Sequence, residues 1–410
     1  MKTNDTATKF ILIATLYVSQ AIPLGFFIVA IPAILRWQGL SLRGVGMLSA
    51  IAFPWLIKFL WAPLVDRYGS ARLGHFRSWL LPLQILSVAT VVVIAFLDLE
   101  TQFVPLVVAG ALFMLLAATQ DVATDGLSVR VLTHEERGPG NGVQVGGYYL
   151  GQIVGGGLML IAFHRFGWTL AVLTMAGFLA LPLLPALFFR EPAHPREARV
   201  RTVDYRALGR FFTRPGMGAW VLILLLYRTG ETMAATMFNP MLVDLGLPLE
   251  RIGLLLGVAS SFGAFSGALL GGFLTRSLGR KPSLVAFGLL QAAALSALAL
   301  PGMGFHSNAT IYSVAIVSAV AGGMATAALY TSMMDHSSAE TSATDFTLQQ
   351  SLAAVGPLLA SSLSGFSAGT LGYPLHFALC AGVTVLTAVL VAGFFVPVSE
   401  PAVAAEAAAP

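Results

Sequence analysis

Asp121 and Asp125 stand four residues apart in an otherwise apolar stretch, with Gln120 beside them. On a helix, positions i and i+4 share a face, so both carboxylates would look into one cavity or at one cation. Like charges that close favour holding a proton between them, which makes the pair a candidate proton carrier. The plainer alternative is a structural ion pair with Arg130 or Lys58. Arg228 and Glu231, three residues apart in another apolar stretch, have the spacing of a helical ion pair. An arginine there is a fixed cation for an anionic substrate, because guanidinium keeps its proton, although Glu231 alone could also neutralise it. Glu231 joins the two aspartates as a candidate proton-coupling group. Tyr17, Ser19 and Gln20 form a polar patch able to hydrogen-bond a substrate. Lys58, within Trp55-Leu56-Ile57-Lys58-Phe59, reads as a paired or snorkelling residue, and Asp335 and Asp345 read as gate or cap residues.

These side chains need a reason to be where they are, because the segments that carry them read as membrane spans. Hydrophobic residues make up 57% of the 410 positions and charged residues only 10%, against roughly a quarter charged in a soluble domain. A helix needs about 20 apolar residues to cross a bilayer. Spans are expected near 10–35, 43–65, 78–97, 104–131, 140–162 and 168–189, and again near 216–242, 252–275, 282–301, 309–333, 344–369 and 373–396. An ionisable group at mid-bilayer costs at least ~2.5 kcal/mol on insertion scales. The expected architecture is an all-α polytopic membrane protein: twelve helices in two six-helix bundles, 1–189 and 216–398, with a basic cytoplasmic linker at 190–215 and a tail at 399–410. The linker is arginine-rich and reads as a solvated connector that fixes topology, not as a nucleic-acid site. With the N-terminus inside, most of the 23 basic residues fall in inside segments, so both termini are expected in the cytoplasm.

The halves echo one another. Asp66-Arg67-Tyr68-Gly69 follows the second span, and Arg276-Ser277-Leu278-Gly279-Arg280-Lys281 follows the eighth. Both are basic, glycine-containing turns. Glycines at 142, 146, 147, 151 and 155 in the fifth span, and at 263, 267 and 271 in the eighth, would let backbones approach closely, either for a rocking motion between halves or for ordinary tight packing.

The turn Asp66-Arg67-Tyr68-Gly69 resembles the signature between the second and third helices of the major facilitator superfamily, with Ala62 where that family prefers glycine. The second copy carries Arg276 where it prefers aspartate. A narrower resemblance rests on Tyr17-Val18-Ser19-Gln20-Ala21-Ile22-Pro23-Leu24-Gly25-Phe26, on Pro54 to Arg67, and on Gln120-Asp121-Val122-Ala123-Thr124-Asp125 with Asn141 and Gln144. It points to the branch containing AmpG-like muropeptide permeases, acetyl-CoA transporters and single-subunit siderophore importers of the RhtX/FptX type. Ala328 to Asp335, Ala343 to Ser351 and the compact length look most like the siderophore importers. The resemblance implies a monomeric bacterial inner-membrane carrier that imports a siderophore or ferric siderophore of the pyochelin or rhizobactin kind with protons, and that takes no cofactor. A muropeptide permease and a drug or metabolite exporter are its alternatives. It places Tyr17, Gln20, Arg228 and Tyr330 at the substrate, Asp121, Asp125 and Glu231 at the proton, and Asp66, Arg67, Lys58, Asp335 and Asp345 in the gates, Asp66 being set to meet the start of the eleventh helix.

An enzyme is a poor reading. Gly365-Phe366-Ser367-Ala368-Gly369 fits a nucleophile-elbow pattern, with His376 nearby, but lies in a hydrophobic helix with no strand before it. No phosphate-binding loop of the ATPase type occurs, and the seven histidines and single cysteine form no ligand cluster. A passive channel is the other rival, which a paired repeat with buried charge fits less well than alternating access.

Overall fold

The computed structural model describes residues 5–31, 34, 53–70, 72–98, 101–192, 203 and 205–398. The outer part of the second span, most of the linker and the tail 399–410 lie outside the described residues.

Nine helices among the described residues are long and apolar enough to cross a bilayer. Two of them are hairpins. The run His134–Phe188 turns at Gly167 (φ 77°), and Ser342–Phe394 turns at Gly372 (φ 76°). A positive φ is cheap only for glycine, which is why each hairpin closes there. That gives eleven spans, and the broken segment 53–67 is the described part of the twelfth. We number them α1 (Thr6–Gly25), α2 (53–67), α3 (Arg77–Ala95), α4 (Phe103–Val131), α5 (134–166), α6 (168–188), α7 (217–244), α8 (Glu250–Leu278), α9 (Arg280–Gly302), α10 (Asn308–Asp335), α11 (342–371) and α12 (373–394). A short helix, Arg206–Thr213, precedes α7.

Several helices are locally irregular. α1, α5 and α8 loosen into π turns at Phe26–Ala30, Val154–Leu158 and Gly253–Ala259. α7 breaks at Arg228, whose φ of −100° and ψ of 0° separate Met217–Tyr227 from Thr229–Asp244. Irregular backbone inside a membrane survives only where protein or a water-filled cavity satisfies it, and Gly155 of the α5 π turn lies directly against the Ile22 carbonyl of α1.

The repeat is visible in the packing. A Cβ added to Gly155 of α5 would lie 1.8 Å from the Ile22 carbonyl of α1, and one added to Gly356 of α11 would lie 1.8 Å from the Leu225 carbonyl of α7. The same backbone-to-backbone approach therefore recurs in both bundles. The glycine ladders do not act as a single sliding surface. Gly142 meets Ala268 and Gly272 across the halves, but Gly147, Gly151 and Gly155 face α1, and Gly263, Gly267 and Gly271 face α10. A helix with glycines on two faces can be close-packed against two neighbours at once, which spacing along one sequence does not reveal.

The bundles meet at the end that carries the 66–77 turn, called here the connector end. Asp335 of α10 accepts from Arg137 (2.8 Å) at the start of α5 and from Arg280 (2.6 Å) at the start of α9. Arg276 reaches Glu135 at 3.0 Å, and Arg130 donates to the Ala339 carbonyl at 3.1 Å. Asn141 donates to the Arg137 carbonyl at 2.7 Å within α5 and lies against Met334 of α10. The connector end is closed.

Candidate functional site

The first bundle holds a buried charge cluster. Lys58, at the broken part of α2, is bonded to Asp121 of α4 and stands 3.8 Å from Asp125. The Tyr17 hydroxyl of α1 donates to Asp125 at 2.5 Å, and Gln144 of α5 donates to the same oxygen at 3.4 Å. Lys58, Asp121 and Asp125 are almost wholly shielded, with side chains 5%, 7% and 0% exposed. One ammonium faces two carboxylates, so with all three ionised the cluster is one positive charge short. One proton, or one cation on a ligand, would balance it. Of the two ion-pair alternatives that the sequence leaves open, the structure chooses Lys58; Arg130 lies instead over the Phe76 ring at 4.5 Å. Lys58 also donates to Gln350 of α11 at 2.5 Å, so the cluster is tied across to the second bundle.

Gln20 is drawn elsewhere. Its amide donates to Thr124 (2.5 Å), Gln120 donates to Gln84 (2.6 Å), and Gln84 donates to Ser19 (3.3 Å). This network ties α1, α3 and α4 together, so Gln20 spends its donor inside the bundle. The reason is proximity of several amides on facing helices, and a sequence read helix by helix does not show it.

The second bundle holds the other charged pair. Arg228 Nε and Glu231 Oε2 are 3.4 Å apart, and their side chains are 32% and 20% exposed, against 7% and 0% for Asp121 and Asp125. Tyr330 packs edge-on against Phe346. Tyr149 of α5 and Glu231 line the same cavity.

The gate candidates sit at the connector end, except Lys58. Asp66 accepts from the Ala343 N–H (3.0 Å), the Thr344 N–H (2.8 Å) and the Thr344 hydroxyl (2.6 Å) at the first turn of α11, where the helix dipole favours an anion. Arg67 lies over the Tyr68 ring. Asp345 accepts from Arg214 (2.8 Å) and from the Ser338 N–H (3.0 Å). Glu191, at the end of α6, accepts from the Phe76 and Arg77 N–H groups at 3.0 and 3.1 Å, which caps α3. Gln84 and Gln291 are buried amides that the sequence did not single out. Their signal was the same as for the charges, polarity in an apolar span. Ser367 and His376 do touch, at 2.8 Å, but both belong to the α11–α12 hairpin, and the Ser367 hydroxyl also meets the Ser364 carbonyl. No group of three His, Cys, Asp or Glu able to hold a metal occurs among the described residues.

Twelve spans in two bundles, closed at one end around buried charge, define a membrane transporter of the alternating-access kind. The pattern of the Major Facilitator Superfamily matches residues 13–350, and again 221–410, and the chain belongs to that family. It is 28% identical over 379 residues to the anhydromuropeptide permease of Escherichia coli K12, covering 91% of this chain and 77% of that one. It is 27% identical to an uncharacterized Haemophilus influenzae protein, covering 91% of each. Among solved structures, the human organic anion transporter MFSD10 superposes with a TM-score of 0.73 at 14% identity, covering 94% of this chain and 99% of that one. A bacterial homologue of the iron transporter ferroportin, in its outward-facing state, gives 0.70 at 15% identity, covering 95% and 99%. These structural likenesses speak to fold.

Proposed function

We propose that this chain is a secondary active carrier of a bacterial inner membrane, importing a muropeptide-type peptidoglycan fragment with protons. The similarity to the anhydromuropeptide permease over 91% of the chain carries the cargo assignment. It favours a muropeptide over the siderophore that the later sequence stretches suggested. The packing supplies a reason for that change. Six residues of Ala328 to Asp335 and Ala343 to Ser351 serve the closed connector end: Met334, Asp335, Ala343, Thr344, Asp345 and Gln349. A resemblance in those residues speaks to a gate and little to a ligand.

In this reading the connector end is cytoplasmic, as the distribution of basic residues suggests, both termini lie inside, and the described state faces the periplasm. Residues 1–189 and 216–398 are the two moving bodies, 190–215 the linker and 399–410 a tail. Asp125 and Asp121 hold the transported proton beside Lys58, with Tyr17 fixing Asp125. Arg228 faces the substrate with Tyr330. Asp66, Arg67, Asp335 and Asp345 hold the inner gate, and Lys58 links the proton cluster to α11 through Gln350. A monomer contains all of these parts.

The test is uptake of labelled muropeptides and of labelled pyochelin- and rhizobactin-type siderophores by cells with and without this gene. Gene-dependent muropeptide uptake is expected. Gene-dependent siderophore uptake with no muropeptide uptake would overturn the cargo.

A further inference from the structure

α2 and α11 touch at two depths. At the connector end, Asp66 of α2 accepts from the Ala343 and Thr344 N–H groups of α11. Deeper along the same pair, Lys58 donates to Gln350 at 2.5 Å. Both contacts cross between the bundles, so both part when the connector end opens. An ammonium has three N–H donors. Lys58 spends two of them on Asp121 and Gln350 and stands over the Trp55 ring, 5.3 Å from its centre. Asp125 is the acceptor left over. Its Oδ2 is 3.8 Å from the ammonium, beyond hydrogen-bond reach, and has no hydrogen-bond partner among the described residues, although the side chain is wholly shielded. A bare buried carboxylate oxygen is costly, so this arrangement suits an Asp125 that carries a proton.

Parting α2 from α11 takes Gln350 away from Lys58 and frees one N–H. Asp125 Oδ2 is the unpaired acceptor that faces it. We propose that Gln350 is the positioning residue that couples the proton site to the gate: while α2 and α11 touch it holds Lys58 off Asp125, and when they part Lys58 turns to Asp125, which then gives up its proton. In that step the Asp125 O–H bond breaks and the proton passes to water entering through the open end. The new carboxylate charge is met by the ammonium, so no uncompensated buried charge is left behind. A proton taken up while the connector end is closed is thereby released only on the side where that end opens. The other ionisable groups facing Asp125 are Tyr17 of α1, Asp121 of α4 and Tyr330 of α10, and α5 contributes the neutral Gln144. Of the groups around it, Lys58 alone brings positive charge. This deepens the carrier reading above and rests on it for a coupled proton.

The full chain in liposomes can be given labelled muropeptide with and without an acid-outside pH step, with exchange at equal pH measured beside net uptake. Gln350→Met keeps the length of the side chain and removes the strong acceptor. It is expected to exchange muropeptide as the wild type does but only to equilibrate it under the pH step, a loss of roughly tenfold per pH unit for one coupled proton. Gln350→Leu, a second apolar replacement, should behave alike. Gln350→Glu restores an acceptor and should regain accumulation above equilibrium, at a lower rate because the added charge holds Lys58 harder. Accumulation at the wild-type level in both apolar variants, or exchange and accumulation lost in equal proportion in all three, would overturn the coupling role. The two readings fail separately. Wild-type uptake that ignores the pH step removes the proton-driven carrier itself. A wild type that responds, beside apolar variants that respond equally, removes only the role of Gln350.

Discussion

At the scale of residues, the proposed proton coupling rests on an imbalance: two buried carboxylates share one ammonium. Asp125 accepts from Tyr17 and Gln144 and touches Lys58 only at 3.8 Å, so it is the carboxylate less committed to that cation. Asp125→Asn is expected to abolish accumulation while leaving substrate exchange in vesicles. One charge moving through 100 mV is worth about 2.3 kcal/mol, so the loss is from roughly fifty-fold accumulation to none. Concentrative uptake at the wild-type level in this variant would remove the proton role. Asp66 makes a second prediction. Its carboxylate accepts from two N–H groups and a hydroxyl at the first turn of α11, so Asp66→Asn should lower the closed fraction, read by a fluorophore pair across that end, and an unchanged closed fraction would remove its gate role. The sequence showed every one of these charged residues, because charge in an apolar span is conspicuous. It did not show their partners. Gln20, expected at the substrate, donates to Thr124, and Lys58, expected in a gate, bridges Asp121 and Gln350.

At the scale of elements, the helices are shaped by where backbones touch and where they break. Gly155 against Ile22 and Gly356 against Leu225 leave no room for a side chain, and each pins a cavity-lining helix to its neighbour. Gly356→Leu is expected to cost at least about 1–3 kcal/mol through forced separation of α7 and α11, seen as a lower unfolding temperature in detergent. Gly365, with open space around its Cβ on the same helix, should accept leucine without that loss. Equal effects at the two positions would contradict the packing. Hydropathy located the spans because twenty apolar residues are hard to mistake. It could not show the π turns, the break at Arg228 or the division of the glycine ladders between two neighbours. Those depend on facing helices, and Gly356 carries the clearest trace of the repeat although its own helix shows no glycine ladder.

At the scale of the whole molecule, the two bundles are held together at one end by contacts that, in the proposed cycle, release together. Asp335 between Arg137 and Arg280, Asp66 on the start of α11, and Glu135 with Arg276 form that closure. Individual exposed pairs contribute only about 0–1 kcal/mol, so the gate can open at modest cost, whereas the shielded Asp335 pair is the stronger hold. Linking positions 135 and 276 through introduced cysteines and a short bifunctional thiol reagent should arrest transport, with recovery on reduction of a cleavable linker. Full transport with the link in place would show that this end does not open. Family membership and the twelve-span plan were legible in the sequence, whereas the cargo was not. Several of the residues that suggested a siderophore, Asp335, Ala343, Thr344 and Asp345 among them, pack at the closed end, and carriers with different cargoes can share a gate. The most direct test of the central claim uses purified protein in liposomes holding a labelled muropeptide gradient of zero. Imposing an acid-outside pH step should drive muropeptide inward above equilibrium, saturably and with proton uptake. Uptake that only equilibrates and ignores the pH step would contradict a proton-driven carrier.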